Sequence, residues 1–327
     1  MASFRRVLIK RIFNAVITVL LIMLLNFVLF RVMPGDPATL MTPHKPGVSD
    51  AVYWRNVEQM GLNDTPLEQL GKYYYQTFTL QWGTSFKSER PVVDEMSEAI
   101  GWTLLLLGTA TAIMFAGGVW LGKIAAVRRG KAPDVAITGV GLFFYGMPVF
   151  WFSIVLLIVF VMYLHWFPTG LFIESGVNPF PLTLGKIGDI IWHMILPLTS
   201  LVVGSIAGVI LIMRSSLIDV LTEDYIVTAY AKGLTEKQVL QRHASPNARL
   251  PIVTTLAMDT AFILGGAFQV EYIFSYQGIG WKTIDSIENQ DYPMLQFIFL
   301  VGGIAVVIAN FVADIVIYYL DPRVKIT

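Results

Sequence analysis

One stretch of the chain has the spacing of a phosphate-binding loop. Residues Gly117–Lys123 fit the pattern GxxxxGK, in which backbone N–H groups cradle phosphates and the lysine neutralises them. Such a loop follows a strand, opens a helix and carries Ser or Thr after the lysine, whereas this stretch ends a long apolar run and no hydroxyl residue follows it. We therefore predict no nucleotide site in this chain. Gly118 and Gly122, and likewise Gly204 and Gly208, instead predict close packing between apolar helices.

Two carboxylic acids, Asp259 and Asp314, stand inside apolar stretches. Asp259 follows Pro251 by eight residues, which is about 12 Å along a helix. A carboxylate in hydrocarbon is costly and usually belongs to a transport path or to a pair between helices. We predict that Asp259 either lines a solute path or pairs with a neighbouring helix, the remaining alternative being a misplaced span, and that Asp314 is structural. With four His and no Cys, the sequence predicts no metal site and excludes disulfides.

The stretch from Arg214 to Leu250, called the 214–250 segment below, has paired helix-capping signals. A helix from Leu217 to Lys232 is predicted to end at Gly233. A capping box at residues 235–238 then predicts a short helix to about Ala244, stopped by Pro246. Buried positions are predicted at Leu217, Val220, Leu221, Tyr225, Ala229, Leu234, Val239 and Leu240. A solvated loop needs no such pattern, so we predict an element that docks on a soluble partner.

The elements that must position these residues are membrane helices. Hydrophobic residues make up 55% of the 327 residues and charged residues 14%, whereas soluble domains carry about 25% charged residues. No alternating barrel pattern is present, so the apolar runs must be helices that pair their own backbone groups. We predict six spans, with a kink or tilt near Gly146–Pro148: Ile12 to Phe30, Ile100 to Leu121, Val135 to Leu164, His193 to Met213, Pro251 to Tyr272 and Met294 to Leu320.

The charges sort by side of the membrane. With six spans, the N-terminus, residues 122–134, the 214–250 segment and the C-terminus share one side, which holds 15 of the 23 Lys and Arg but 6 of the 23 acids. The positive-inside rule makes this side cytoplasmic, with both termini inside. The first span lacks a signal-peptide cleavage site after it, so we predict a retained anchor. The net charge of zero gives no sign of a nucleic-acid partner.

Residues 228–234 read Thr-Ala-Tyr-Ala-Lys-Gly-Leu, within a longer run from Asp224 to Pro251. Further motifs follow in order along the chain: Arg31–Pro37, Gly61–Leu67, Gly83–Ser85, Val270–Phe274, Gly278–Gly280, Asp291–Pro293 and Leu320–Arg323. Together they resemble the permease subunits of binding-protein-dependent ABC importers, and in particular the dipeptide/oligopeptide (peptide/nickel) branch. The run departs from the general motif at Val227 or Thr228, where an acid is absent, and at Ser245, where Leu is common.

The resemblance implies an all-α integral membrane protein with the type I ABC importer permease fold, six transmembrane helices and a long external loop after the first. The short helix after Thr235 would fit a cleft on an ATPase subunit. The coupling residues would be Thr228, Ala229, Ala231, Lys232, Gly233, Leu234, Thr235, Gln238, His243 and Pro246. Residues 1–30 would form the cytoplasmic N-terminus and first span, 31–99 an external segment, 97–320 the type-1 transmembrane domain and 321–327 a cytoplasmic tail.

The implied partners are a second homologous permease, two ATP-binding subunits, an external solute-binding protein and membrane lipid, in a prokaryotic cell (inner) membrane. ATP and Mg would bind in the partner subunits, so this chain would hold no cofactor and catalyse no reaction. The external segment 31–99 is expected to be a lip for the binding protein, the alternative being a simple shield over the helices.

Peptides are the expected solute, and oligosaccharides, nickel chelates and glutathione remain alternatives. A secondary transporter or channel is the rival class. It would predict inverted repeats and a relay of ionisable residues, and we find neither in the sequence.

Overall fold

The structure is a computed structural model that describes residues 4–32, 54, 57–58, 63–262 and 266–320. The side chains of residues 4–7, 257–262, 313–314 and 316–320 are outside that description. The chain divides into two compact units. Unit 1 consists of Met1–Thr103, Leu264–Phe268 and Gln277–Phe311, and unit 2 of Leu104–Ile263, Gln269–Tyr276 and Val312–Thr327.

Most of the described residues are helical and none of them form a strand, which confirms the predicted all-α class. In chain order the helices are α1 (Phe4–Val32), α2 (Pro66–Phe78), α3 (Val92–Val127), α4 (Ala132–Tyr145), α5 (Val149–Leu156), α6 (Leu184–Leu221), α7 (Asp224–Ala231), α8 (Glu236–Val239), α9 (Ser245–Ala248), α10 (Leu250–Phe262), α11 (Phe268–Ile273), α12 (Ile279–Glu288) and α13 (Tyr292–Leu320). Two π-helical stretches, Leu157–Tyr163 and Leu240–Ala244, continue α5 and α8.

Four helices of the described residues are long and apolar enough to cross a membrane. Leu8–Val32, Val92–Val127 and Leu184–Leu221 contain the predicted first, second and fourth spans, and Tyr292–Val312 covers the first part of the predicted sixth span, Met294 to Leu320. The second and fourth begin earlier than predicted because polar turns at residues 92–99 and 184–192 continue the helix beyond its apolar part. Residues Gly117–Lys123 lie inside α3, which is not the backbone of a phosphate-binding loop.

The predicted third span is broken in its middle, where α4 and α5 meet at an angle of 96°. Pro148 causes the break, since it lacks an N–H group and disfavours a helical conformation at Met147. The two halves pack along α6 in register, through Asp134 with Arg214, Gly141 with Ala207, Val149 with Gly204, Ser153 with Ser200 and, beyond the π-helix, Phe167 with Trp192.

This order of contacts decides how α4 and α5 cross the membrane. Trp192 precedes Arg214 by 22 residues along α6. This separation corresponds to about 33 Å of helix, which is close to the roughly 30 Å thickness of a hydrocarbon core. In a re-entrant loop, α5 would turn back and contact α6 near Arg214 again. The contacts of α5 with α6 instead lie progressively farther from Arg214. The contacts therefore favour a single broken span for the α4–α5 pair, which would be the fifth candidate span.

The prediction of one helix from Pro251 to Tyr272 is wrong. Helix α10 ends at Phe262 and α11 begins at Phe268. Between them Gly266 has a φ of +78°, a left-handed conformation that interrupts a right-handed helix. A Cβ on Gly266 would also lie 2.9 Å from the backbone N of Gly280, so the turn depends on glycine for space as well.

In unit 1, polar bridges fasten the stretch before α3 to α12 and the start of α13. Ser85 Oγ donates to Asp291 Oδ2 at 2.5 Å, and Lys87 pairs with Asp285. At the start of α3, the buried Glu95 pairs with Lys282. The bridges surround an apolar cluster of Val92, Met96, Ala99, Ile279, Met294, Phe297 and Ile298.

In unit 2, the predicted glycine contacts are confirmed at three of four positions. A Cβ on Gly118 would lie 2.7 Å from Val209 Cβ, and one on Gly122 would lie 2.7 Å from the backbone O of Ile210. Gly204 likewise meets a side-chain methyl of Val149. Gly208 has no neighbour within 4 Å, so the prediction fails there. Small residues thus bring α3 and α6 into backbone contact.

Candidate functional site

The 214–250 segment is folded against the ends of α3 and α6. Its buried residues form one apolar cluster with Phe115, Ala126, Val209 and Met213: Leu217, Ile226, Ala229, Val239, Ala244, Ala248 and the following Ile252. Most of these side chains are completely buried. An element packed in this way moves with the helices that carry it, because close-packed interiors transmit displacement instead of absorbing it.

A sharp turn at Gly233 separates the two halves of the segment. Helix α7 ends with Lys232 as its C-cap, and Gly233 follows with a φ of +82°. The capping box at the start of α8 is confirmed: Thr235 Oγ1 accepts from the Gln238 N–H, and the Gln238 side chain accepts from the Thr235 N–H at 2.9 Å. The turn and the cap fix the direction in which α8 leaves α7.

Two sequence predictions within the segment are wrong. The helix predicted from Leu217 to Lys232 is two helices, since α6 ends at Leu221 and α7 starts at Asp224. The break is explained by Thr222, whose hydroxyl donates to the Asp219 carbonyl, and by acids at the start of α7, where negative charge favours a helix N-terminus. Pro246 does not stop the second helix. It occupies the first turn of α9, a position that needs no N–H donor.

The predicted coupling residues separate into a surface group and a buried group. Thr228, Ala231, Lys232, Gly233, Thr235 and Pro246 are exposed. Leu234, Gln238 and His243 are half-buried, and Ala229 is buried in the apolar cluster. Ala229 is therefore a packing residue, whereas the exposed group forms a surface around the turn.

Sequence reasoning missed the apolar part of this surface. Tyr225, predicted to be buried, is exposed, and Val227 and Tyr230 of the same short helix are exposed as well. Only Ile226 and Ala229 of α7 face the core. The signal was available, because residues three apart share a helix face and Ile226 and Ala229 define the buried one. Exposed aromatic and branched side chains beside charged ones are typical of interfaces.

A buried ion pair lies where α4 packs on α6. Arg214 Nε donates to Asp134 Oδ1 at 2.6 Å and Arg214 Nη2 donates to Asp134 Oδ2 at 2.8 Å, a two-pronged geometry. The Gly130 N–H donates to the same carboxylate at 2.9 Å, and Asp134 is only 3% exposed. Because Arg214 begins the 214–250 segment, this pair joins the segment's first turn to the broken span.

Asp259 and Asp314 lie on α10 and α13, but their side chains are outside the described part of the chain. Residues 33–53, within the predicted external lip, are outside it too. Of the histidines, His165 and His193 contact the carbonyls of Val161 and Asp189 through Nδ1. The described residues contain no group of three or more side chains arranged to hold a metal.

Long apolar helices, one apolar pair bent at Pro148, and a capped segment packed against α3 and α6 define a multi-span helical membrane protein. Comparison with known sequences identifies the class. A profile described as "Binding-protein-dependent transport system inner membrane component" matches residues 118–326, and its N-terminal companion matches residues 4–107. The chain belongs to this family of inner-membrane transport components.

Individual relatives cover nearly the full length. The "oligopeptide transport system permease protein AppB" of Bacillus subtilis is 34% identical over 97% of this chain and 98% of its own length. The "dipeptide transport system permease protein DppB" of Escherichia coli is 32% identical over the same shares. The resemblance seen in the sequence motifs is thereby confirmed.

Proposed function

We propose that this chain is one of two permease subunits of an ATP-driven importer, delivers di- or oligopeptides across the membrane, and works with two ATPase subunits and an external binding protein. The names of the two relatives support the peptide solute. The observation that carries the proposal is the 214–250 segment, whose buried side is fixed to α3 and α6 and whose exposed side is free for a partner. Both termini and this segment lie on the cytoplasmic side, as the charge distribution indicates.

Six spans follow if α10 and α11 cross the membrane together as a second broken span. ATP-driven closure of the ATPase subunits would move the 214–250 segment as a rigid body and switch the bundle between outward and inward access. Asp259, on α10, remains the candidate for a charged residue in the solute path, and Asp314 for a structural one. ATP and Mg would bind only in the ATPase subunits.

We further propose that the break between α4 and α5 lines the path. Non-helical backbone at membrane depth is tolerated only where it faces protein or water, because lipid cannot satisfy its polar groups. Gly146 and Pro148 are exposed and Tyr145 is 58% exposed, so none of the described residues of unit 2 covers the break. Interrupted helices near the bilayer midplane are the usual location of transporter solute sites.

The path assignment predicts a cysteine-accessibility pattern, which the natural absence of Cys makes measurable. Tyr145→Cys in the assembled transporter should react with a charged methanethiosulfonate reagent, and excess peptide with binding protein should slow the reaction. Ile113→Cys, exposed on the unbroken α3, should react at least about tenfold more slowly, since apolar surroundings suppress the thiolate. Equal reaction rates of the two cysteines with the reagent would contradict the proposal that the break between α4 and α5 lines the solute path.

Transport itself tests the proposed function directly. Proteoliposomes that contain this chain, its partner permease and the ATPases should accumulate a radiolabelled dipeptide only when ATP and the binding protein are both supplied. Omitting this chain should abolish uptake. Uptake of an oligosaccharide or a nickel chelate in place of peptide would agree with an ATP-driven importer but contradict the proposed peptide solute. Uptake without ATP would contradict the assignment to ATP-driven importers.

A further inference from the structure

Helix α2, in the predicted external lip, packs against the side of the first span. Tyr74 Oη donates to the backbone O of Leu20 at 2.8 Å, and Tyr73 Oη donates to Asn26 Oδ1 at 3.0 Å. Asn26 in turn donates through Nδ2 to the carbonyl of Gln296 in α13 at 3.1 Å. All of these residues belong to unit 1. The tyrosines thus connect α2 to both α1 and α13.

These contacts lie at membrane depth. Between Arg11 and Arg31, α1 has 19 uncharged residues, about 29 Å of helix, which matches a hydrocarbon core of roughly 30 Å. Leu20 precedes Arg31 by 11 residues, or about 17 Å. Tyr73 also packs with Met23 of α1 and Leu300 of α13, and Leu300 is eight residues past the start of α13, or about 12 Å.

The surface of α2 has three sectors. Tyr73 and Thr77 are buried against the protein. A second sector carries the exposed side chains of Leu67 (78% exposed) and Phe78 (69%), and Tyr75 (64%) lies at its edge, beside Glu68. A third carries the charged residues of the helix, Glu68 and Lys72, with Lys72 paired to Asp64 at 2.5 Å. Large apolar side chains exposed next to one another, as Leu67 and Phe78 are here, mark a surface that contacts lipid or another molecule.

The neighbouring surface of α1 indicates what covers that sector. At the level of the Tyr74 contact, α1 exposes Leu20, Leu21, Leu24 and Leu25, and these residues lie in the uncharged stretch that crosses the membrane. The ring centroid of Phe78 lies 6.5 Å from that of Tyr74, whose hydroxyl contacts Leu20, so the Phe78 end of the apolar sector lies beside this leucine surface. An amphipathic helix with separate apolar and charged sectors is the type of helix that lies at a membrane interface.

We propose that α2 is inserted into the half of the bilayer next to Arg31, with Leu67, Tyr75 and Phe78 against lipid and Glu68 and Lys72 toward water. The hydrogen bonds of Tyr73 and Tyr74 then satisfy hydroxyl groups that lipid cannot pair. On this assignment α2 is a membrane element, and a binding protein meets other parts of the external segment. The proposal depends on α1 crossing the membrane and is independent of the solute and of the ATPase partners.

Spin labels can test this placement, since each introduced cysteine is the only one in the chain. Phe78→Cys and Tyr75→Cys would be labelled with a nitroxide in the full-length chain in lipid nanodiscs, alone and in the assembled transporter. Collisions with oxygen, which concentrates in lipid, would be compared with collisions with a water-soluble nickel complex. We expect a high oxygen-to-nickel ratio at both positions, close to that of Leu25→Cys on the lipid surface of α1.

Two control positions should give the low oxygen-to-nickel ratio that is expected of a label in water. Lys72→Cys, in the charged sector of the same helix, and Asp94→Cys, exposed in the first turn of α3, should both favour nickel. A nickel-favouring result at Phe78 and Tyr75 would place α2 in water and overturn the proposal. Low collision with both reagents would overturn it as well, because a protein partner would then cover the sector. All five changed side chains are exposed, so none of the changes should affect folding.

Discussion

Gly233→Val is expected to reduce peptide-stimulated ATP hydrolysis by the assembled transporter by about 5- to 150-fold, while membrane insertion stays normal. Gly233 has a φ of +82°, where a β-branched residue is strained by roughly 1–3 kcal/mol, and that energy corresponds to the stated factor. A Cβ at this position has no neighbour within 4 Å. The effect would therefore come from backbone conformation and not from a clash, and would redirect α8 relative to α7.

Asparagine provides the matched control, because it tolerates the left-handed conformation better than other side chains do. Gly233→Asn should retain most of the stimulated activity although it adds a larger polar side chain. Basal hydrolysis by the ATPases and the amount of assembled complex should be measured for both variants. Wild-type stimulation in Gly233→Val would contradict the coupling role. An equal loss of stimulated ATP hydrolysis in both variants would contradict the conformational explanation. It would indicate instead that any side chain at position 233 obstructs contact with the partner.

Asp134→Ala should lower the free energy of unfolding by about 1–3 kcal/mol, since it removes the charged hydrogen-bond partner of Arg214, whose side chain is 28% exposed and can still be hydrated. Arg214 Nε, Arg214 Nη2 and the Gly130 N–H all donate to the Asp134 carboxylate, so its removal eliminates three hydrogen bonds. Arg214→Ala should have an effect of similar size, because it strands a carboxylate that is only 3% exposed. Thermal or detergent-induced unfolding of the purified chain in nanodiscs would measure both.

Two further variants separate charge from geometry. Arg214→Lys keeps the charge but cannot make the two-pronged contact, and it should recover only part of the lost stability. The double variant Asp134→Leu with Arg214→Met replaces the pair by apolar residues and should be much less destabilised than either single alanine variant. If the double variant lost as much stability as the sum of the two single changes, the residues would not act as a pair.

Several features of the fold could be predicted from the sequence because they depend on neighbours along the chain. The four long spans follow from the length of apolar runs, and the turn at Gly233 and the cap at Thr235 follow from residue types at fixed local spacing. A break near Pro148 is likewise a local effect of proline. The two wrongly predicted helix boundaries in the 214–250 segment are at Thr222 and Pro246. At both positions the local sequence is compatible with a helix that continues and with a helix that ends and is followed by a new one.

The tertiary structure decided what depends on residues far apart in sequence. Nothing local distinguishes a broken span from a re-entrant loop at Gly146–Pro148, and it is the ordered contacts of α4 and α5 with α6 that favour the broken span. The partner of Asp134 is 80 residues away, and Tyr73 meets Asn26 across 47 residues. The apolar sequence by itself determined a helical membrane protein, because lipid leaves the backbone few alternatives. Which helices touch was decided by packing and by polar pairs, since every apolar face satisfies hydrocarbon equally well.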